Sequence, residues 1–257
     1  MITENVLRNR TGGELSPDER AILEGAVSGT RVLREGQVAV AQGEPVDVSI
    51  LLIDGFMTRH IDAPDGRRHL VGVHVPGDFV DLHAYALKKL DHDVAALTRA
   101  RVGLLRHEDI ERIQRDHAHL TKRLWFLTLL DAAIHRQWVY RIASLTAIER
   151  VAHFLCEINA RLLAVGLSDG TRFELPMTQV DIGEVCSLTN VHVSRVLRQL
   201  RERGLCTVRQ SHVEIHAMKG LAAAGQFDPS YLYLNPQTAE RAGGAPWNRH
   251  EPTDRPQ

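Results

Sequence analysis

The chain has 257 residues, of which 44% are hydrophobic and 25% charged, a composition typical of a soluble globular protein with room for two domains. Its formal net charge of −1 excludes a generally basic protein that coats nucleic acid, although a local basic surface remains compatible with it. No apolar run reaches the roughly 18 to 20 residues of a membrane span, and the first residues lack the basic start and apolar core of a signal peptide. We therefore expect a cytoplasmic protein that does not bind membranes.

Residues 14–26 predict a short helix near the start of the chain. Ser16 can cap this helix, Pro17 suits its first position, and Glu19 lies where it completes a capping box.

From residue 30 to about residue 106, short runs rich in Val, Ile and Leu alternate with glycine turns. Many short strands separated by such turns predict a small antiparallel barrel or roll. Asp65 and Gly66 are a strong hairpin signal, since this pair adopts positive φ angles at low cost.

A long helix is predicted over residues 107–145, where breakers are nearly absent and apolar residues recur seven apart. Because a helix of this length exceeds what is needed to cover only the β domain, we favour a homodimer packed along its apolar stripe. The alternative is that the stripe covers the chain's own β domain, and Asp131 and Arg141 interrupt it. The residues of the predicted dimer interface are Leu120, Leu124, Leu127, Ile134 and Trp138.

The segment "VDIGEVCSLTNVHVSRVLRQLRERGL", residues 180–205, predicts two short helices joined by a tight turn. Thr178 can cap the first helix, and Gly183 is small where the second helix crosses it. The second helix begins near Asn190 and ends at Gly204, and the residues after it alternate like a two-stranded hairpin. This order of elements predicts a winged helix-turn-helix.

Arginines concentrate on the second of these helices, since residues 195–209 hold five arginines and one acid, Glu202. A helix in the DNA major groove presents its early exposed positions to base edges, where Arg195 can make two hydrogen bonds to a guanine. Arg198, further along the helix, suits a phosphate. The residues predicted to contact double-stranded DNA are Thr178, Gln179, Thr189, Asn190, Val191, His192, Ser194, Arg195 and Arg198.

Two other classes of protein compete with a DNA-binding regulator. An enzyme is not expected, because the chain has no G-x-S-x-G, no phosphate-gripping G-x-x-x-x-G-K-[ST] and no G-x-G-x-x-G. The alternative is a module that binds haem or a small molecule without DNA-binding activity. Exposed Asn190, Ser194 and Arg195 argue against that alternative.

The order of a β-rich domain, a long helix and a winged helix-turn-helix resembles the Crp/Fnr family of bacterial transcription regulators. The stretch "LLIDGFMTRHIDAPDGRRHLVGVHVPGDFVDL" is similar to the family's cyclic-nucleotide-binding-type β-roll, and "MTQVDIGEVCSLTNVHVSRVLRQLRERGLC" is similar to its helix-turn-helix. The likeness covers nearly all of residues 14–233. It implies a homodimer that reads a palindromic DNA site, with RNA polymerase as a further partner.

One departure from the family concerns base recognition. Members often carry a glutamate three residues before the Ser-Arg pair, which is Ser194-Arg195 in this chain, but that position holds Val191. Glutamate accepts a hydrogen bond from cytosine N4, whereas valine offers only apolar contact, for instance to a thymine methyl. We therefore expect a half-site that differs from the common family consensus.

Further departures concern the effector. Members that respond to cyclic AMP hold it through a Gly-Glu element and an Arg-Ser pair. This chain has Gly77-Asp78 for the first and Asp91 near the second, so cyclic AMP is disfavoured. The resemblance implies an effector pocket near the first element, and its candidate residues are Gly77, Asp78, Phe79 and Leu82.

The sequence does not identify a cofactor. Oxygen-sensing members bind an iron–sulfur cluster through N-terminal cysteines, and this chain has no cysteine before Cys156, which excludes that mechanism. The open alternatives are an unknown small molecule, haem through a histidine such as His74 or His83, or no ligand. The scattered histidines predict no metal site.

The sequence thus predicts an α+β protein with an N-terminal antiparallel β-roll, a long dimerisation helix and a C-terminal winged helix-turn-helix. The predicted boundaries are 14–106 for the β-roll sensor domain, 107–145 for the dimerisation helix, 146–227 for the DNA-binding domain and 228–257 for a flexible tail without a core of its own.

Overall fold

A computed structural model describes residues 1–12 and 14–244. The N-terminal half is a β-roll, as predicted, made of two antiparallel sheets with strand orders β1-β7-β3 and β2-β6-β4-β5. Buried aliphatic side chains such as Leu33, Leu52, Met57 and Val94 form the core of this sensor domain. The strands are β1 (Val27–Leu33), β2 (Val38–Val40), β3 (Val48–Asp54), β4 (Met57–Asp62), β5 (Arg68–His74), β6 (Asp93–Ala96) and β7 (Ala100–Arg106).

The first helix, α1 (Pro17–Gly25), begins at the predicted capping box, in which Ser16 and Glu19 each accept a hydrogen bond from the other's backbone N–H. The predicted hairpin at Asp65-Gly66 joins β4 to β5, but its turn differs from the expected one. Gly66 has a φ of +79°, whereas Asp65 has no positive φ and its carboxylate accepts from the Arg67 N–H. The connection is therefore a longer loop that needs only one left-handed residue.

The long helical region is divided at His117. Its parts are α3 (His107–Asp116), which packs on the β-roll, and α4 (Ala118–Ser144). The φ and ψ of His117 are −136° and 71°, outside the helical region, and the Thr121 hydroxyl donates to the carbonyl groups of Ile113 and His117 at the break. The prediction of one unbroken helix is wrong at this residue, because a threonine side chain compensates for the lost backbone hydrogen bonds.

The C-terminal half is a winged helix-turn-helix built around the buried helix α5 (Ala147–Ala164), in which every residue from Val151 to Ala164 is buried. A short helix α2 (Ala84–Leu87) lies in the sensor domain. The remaining elements of the DNA-binding domain are β8 (Arg172–Glu174), α6 (Gln179–Cys186), α7 (Asn190–Glu202), β9 (Cys206–Arg209), β10 (His212–Ile215) and α8 (Met218–Ala224).

The predicted C-terminal tail is folded over much of its length. A 3₁₀ turn (Pro229–Leu232) and helix α9 (Pro236–Arg241) follow the domain, each with a proline in its first turn and a capping side chain, Asp228 or Asn235. Leu232, Leu234 and Ala242 are buried in the core of the DNA-binding domain. The expectation of a tail without a core is therefore wrong up to residue 244, and residues 245–257 lie outside the described residues. Among residues 1–12 and 14–244, no helix combines the length and apolar character needed to cross a membrane.

Candidate nucleic-acid interface

The first helix of the helix-turn-helix, α6, begins at a capping box. The Thr178 hydroxyl accepts from the Asp181 N–H at 3.1 Å and donates to the Asp181 carboxylate at 2.7 Å. This proton is donated within the box in the single chain, and the role of Thr178 as a DNA contact stays a prediction. Gln179, the next residue, is exposed and faces the groove described below.

The turn between the helices is tight because of Gly183. A Cβ at this position would lie 2.6 Å from the carbonyl oxygen of Leu188, so only glycine allows the turn to fold back onto α6. Ser187 ends α6 in the left-handed conformation, and Thr189 caps α7 by accepting from the His192 N–H at 3.3 Å. The start of α7 is therefore fixed against α6.

Helix α7 has one buried face and one exposed face, as the sequence predicts. Val193, Val196 and Leu200 are buried, whereas Val191 is 70% exposed. The wing follows as an antiparallel sheet of order β8-β10-β9. The predicted DNA-contact residues that lie exposed on or beside α7 are Thr189, Asn190, Val191, His192, Ser194, Arg195 and Arg198.

An open groove of about 450 Å³ lies between the start of α6, the exposed face of α7 and strand β9 of the wing. Three arginines line this groove, and they have few carboxylate partners among the described residues. Among the described residues, Arg195 and Arg201 have no carboxylate within 4 Å, and Arg198 has only a solvent-exposed contact of 3.9 Å to Glu202. The groove is lined by Gln179, Val191, Ser194, Arg195, Leu197, Arg198, Arg201 and Val208.

The effector-pocket candidates lie at a second cavity, between the β-roll, α4 and α5. Asp78, Phe79 and Leu82 line this cavity, which has a volume of about 30 Å³, enough for about two water molecules. Neither a cyclic nucleotide nor a haem fits there without displacement of the lining side chains. Gly77 does not line it: its φ is +97°, and a Cβ would lie 2.5 Å from the Asn5 carbonyl oxygen, so glycine is required for the chain's N-terminus to approach.

The cavity is lined by ion pairs within the chain. Arg59 contacts Asp131 at 2.7 Å, and Arg161 contacts Asp78 at 2.6 Å. Burial by itself raises the pKa of Asp78, but the Arg161 guanidinium and His74 outweigh it and hold that pKa well below its usual range. Burial, reinforced by the nearby Arg59 guanidinium, lowers the pKa of His74 to about 4, so His74 is neutral at pH 7.

Sequence reasoning did not single out Arg59 or Arg161 for this cavity. Arg59 lies on strand β4 and points inward. Its contact with Asp131 joins residues far apart in the sequence, so no local pattern indicates it. A local signal existed for Arg161, because Glu157 precedes it by four residues on α5 and lies 3.5 Å from it.

The predicted dimer stripe on α4 packs inside the chain. Leu120 and Leu124 are buried in the core that α3 and α4 share with the β-roll, and Trp138 is buried against Phe154. Leu127 and Ile134 line the small cavity. Leu120, Leu124 and Trp138 are therefore buried within the single chain, whereas Leu127 and Ile134 are only half-buried. Which stripe of α4 forms the dimer interface stays a prediction.

A second apolar stripe on α4 remains exposed. Trp125 and Val139 are 67% and 68% exposed, and a heptad spacing joins them through Leu129, Ala132 and the charged Arg136. The large apolar side chains exposed on α4 are Trp125, Leu129, Val139, Tyr140 and Ile142.

One set of candidate metal ligands occurs among the described residues, although no metal site was predicted. Atoms of His60, Asp62 and Asp93 lie within 4.8 Å of one another on the sheet that contains β4 and β6. Asp93 already accepts from the Gln42 N–H at 2.7 Å and lies 3.5 Å from His60 Nε2. A histidine–carboxylate contact accounts for this arrangement.

Comparisons with known proteins agree with both halves of the structure. Residues 30–117 match the model of the cyclic nucleotide-binding domain, and residues 149–224 match that of the Crp-like helix-turn-helix domain. The transcriptional activator protein FnrL of Cereibacter sphaeroides is 30% identical over 180 residues, which are 68% of this chain and 71% of that protein. The transcriptional activator protein anr of Pseudomonas aeruginosa is 25% identical over 201 residues, 78% of this chain and 82% of that protein.

Among solved structures, FixK2 from Bradyrhizobium japonicum has the same fold, with a TM-score of 0.70 at 24% identity over 76% of this chain and 96% of that chain. The family-model matches, the FnrL relative and the exposed, capped helix α7 lead to one assignment. The chain belongs to the Crp/Fnr family, whose members are transcription regulators with a helix-turn-helix DNA-binding domain and not enzymes.

Proposed function

We propose that this regulator binds a palindromic DNA site as a homodimer and reads each half-site with α7. The observation that carries this proposal is the groove in front of α7. There Arg195 and Arg201, which have no carboxylate within 4 Å among the described residues, lie beside exposed side chains able to reach base edges. A cation that the protein leaves unpaired in an open groove is free to pair with a phosphate or a guanine.

Each exposed position on α7 has a distinct role in this proposal. Arg195 makes two hydrogen bonds to a guanine, with Asn190, His192 and Ser194 beside it. Val191 contacts a thymine methyl, which gives a half-site different from one read by glutamate. Arg198, the Thr189 hydroxyl and the backbone N–H groups at the starts of α6 and α7 bind phosphates and set the register.

The dimer in this proposal uses the exposed stripe of α4 rather than the predicted one. Two copies packed along Trp125, Leu129 and Val139 bury apolar area that is open to water in the single chain. Half-sites about one helical turn apart require the two-fold axis of this dimer to set the two copies of α7 at that separation. RNA polymerase is the expected further partner of such a bound dimer.

The dimer surface is tested by Leu129→Asp, with Val32→Asp as the control, because Val32 is an exposed apolar residue on the sensor domain. Light scattering should find the Leu129→Asp protein monomeric and the control dimeric. A dimeric Leu129→Asp protein would exclude this stripe from the interface.

The proposed function is tested by selection of bound sequences from random DNA with the purified full-length protein. We expect a palindrome to be enriched, and Arg195→Ala to lose the preference for one guanine per half-site at a cost of roughly 1 to 3 kcal/mol per half-site. Arg203→Ala is the matched control, since Arg203 is an exposed arginine at the far end of the same helix. Absence of enrichment with the parent protein would contradict the proposal.

The same selection tests the role of Val191. Val191→Glu should move the base preference toward a half-site with cytosine on the contacted strand, because glutamate accepts from cytosine N4. An unchanged preference would show that position 191 does not contribute to specificity.

A further inference from the structure

The side chain of Arg161 extends from the DNA-binding domain into the sensor cavity. It lies on α5, is 2% exposed and lines the cavity together with residues of the β-roll and α4. Its guanidinium contacts the Asp78 carboxylate at 2.6 Å and the Glu157 carboxylate at 3.5 Å. A single side chain thus joins the two domains at the place where a small-molecule effector was expected.

Asp78 is well matched to this guanidinium. Its carboxylate also accepts from the Val75 N–H at 3.0 Å and lies 3.6 Å from His74, so the loop that carries Asp78 presents it to Arg161 in a fixed position. Separation of the domains would break this ion pair and leave Arg161 only its longer contact with Glu157, and breaking a buried ion pair is strongly unfavourable. The pair therefore resists movement of one domain relative to the other.

Other contacts also hold the DNA-binding domain in this position relative to the sensor domain. In the N-terminal arm (residues 1–12), Arg8 donates to the Val165 carbonyl at 3.2 Å and Asn9 to the Ala164 carbonyl at 2.8 Å, both at the end of α5. On the other side, Arg68 at the start of β5 contacts Asp181 and Glu184 of α6 at 2.9 and 3.2 Å. With these contacts in place, the exposed face of α7 and its groove remain open.

We propose that Arg161 is a built-in ligand of the sensor domain, which holds the DNA-binding domain in a DNA-competent position without a small molecule. The inference rests on the proposed function, because it assigns a role in DNA binding to the contact between Arg161 and Asp78. The contact takes the place of an external effector: the domain placement that a bound molecule would stabilise is stabilised by a residue of the moving domain itself.

A consequence distinguishes this role from a general effect on folding. A dimer binds a palindrome tightly only when both DNA-binding domains are held at the spacing of the half-sites, whereas a single half-site needs no such spacing. Loss of the contact should therefore weaken binding to the palindrome and leave binding to an isolated half-site unchanged.

The test compares the affinities of the full-length protein and of Arg161→Gln for a palindromic duplex and for a duplex with one half-site, without added ligand. We expect Arg161→Gln to weaken palindrome binding about tenfold or more and half-site binding by less than about twofold. Arg172→Gln is the matched control, because Arg172 lies in the same domain and forms an exposed pair with Glu214. The exchange of charges in Asp78→Arg/Arg161→Asp should recover at least part of the lost affinity.

Three results would overturn the inference: unchanged palindrome binding by Arg161→Gln, an equal loss on both duplexes, or tighter palindrome binding. A readout without DNA keeps the inference separate from the proposed function. Distances between spin labels on the sensor and DNA-binding domains should broaden in Arg161→Gln and stay narrow in Arg172→Gln. If the parent protein binds no palindrome but the distances broaden, the proposed function fails while the domain contact stands; unchanged distances contradict the inference directly.

Discussion

The arginines of α7 and the arginines beneath the sensor sheet are the same residue type in opposite settings. On α7, Arg195 and Arg201 are exposed and have no carboxylate within 4 Å among the described residues. Beneath the sheet, Arg59 and Arg161 are almost completely buried, and each contacts a carboxylate at less than 3 Å. Exposed arginines add little to the free energy of folding but are available to a polyanion, whereas buried ones are committed to the fold.

This contrast shows how a chain with a net charge of −1 can still bind DNA. Among the described residues, Arg59 and Arg161 are paired with carboxylates at the cavity, whereas Arg195 and Arg201 have no such partner within 4 Å on one helix. A nearly neutral total is therefore compatible with a strongly cationic surface of a few turns. Three substitutions, taken in order of decreasing expected effect, test the buried groups and the exposed arginines separately.

The largest effect is expected from Glu157→Ala, on the buried side. Glu157 is fully buried, accepts hydrogen bonds from Trp138 Nε1 and the Tyr231 hydroxyl at 2.9 Å each, and lies beside Arg161. Its removal leaves both donors without their carboxylate acceptor and takes one of two carboxylates from Arg161, and should lower the free energy of unfolding by about 3 to 5 kcal/mol. Urea denaturation measures this change.

The control for Glu157 is Glu214→Ala, which removes the exposed partner of Arg172 and should cost at most about 1 kcal/mol. Equal losses for the two variants would show that the buried network contributes no more than a surface ion pair.

A smaller effect is expected at Asp81, a buried acid that forms no ion pair within 4 Å in residues 1–12 and 14–244 and interacts with the charge of Arg59 only at longer range. Its Oδ1 accepts from the Ile50 N–H at 2.6 Å and its Oδ2 has no partner, and burial raises its pKa from 3.8 to about 7. Between these values the folded state binds more protons than the unfolded state, so the contribution of Asp81 to stability falls as pH rises from about 4 to 7. The contribution is constant above that range.

Asp81→Asn removes this titration and keeps an oxygen for the Ile50 N–H. Relative to the parent, the variant should gain about 2 kcal/mol in free energy of unfolding between pH 5 and pH 8. The histidines titrate in both proteins and cancel in the difference. A difference that does not change with pH would contradict a raised pKa at Asp81.

The smallest effect is expected from Arg198→Ala, on the exposed side. Arg198 has only the contact of 3.9 Å to Glu202, at a solvent-exposed position, so its removal should not change stability measurably. Binding to all DNA sequences should weaken about equally, and the slope of log affinity against log salt should shrink by about one per half-site. A loss confined to one base position would instead place Arg198 at a base edge.

The sequence predicted those parts of the fold that depend on local patterns. The capping box at Ser16, the helix cap at Thr178, the tight turn at Gly183 and the two faces of α7 each follow from a few neighbouring residues. The folding of residues 228–244 depends on contacts distant in sequence, such as those that bury Leu234, which composition alone does not show.

In the candidate site, too, local patterns predicted some features, whereas others depend on contacts distant in sequence. Helix α7 and its exposed residues were predictable, because a capped amphipathic helix after a tight turn is a local signal. The use of Arg161 as a partner for Asp78 joins residues 83 positions apart, and no periodicity indicates it. The choice between two apolar stripes of α4 also required the structure, since both have heptad spacing and only one is covered by the chain's own domains.

The central claim is that this chain reads a DNA sequence through α7. Its most direct test is a titration of the full-length protein against the selected palindrome and against a scrambled duplex of the same composition, over a range of salt concentrations. If α7 reads the DNA sequence, both affinities fall with increasing salt, and the palindrome is bound at least about 10³-fold more tightly than the scrambled duplex at physiological salt. Equal affinities for the two duplexes would show that the protein binds phosphates without recognising a sequence, and would contradict sequence recognition through α7.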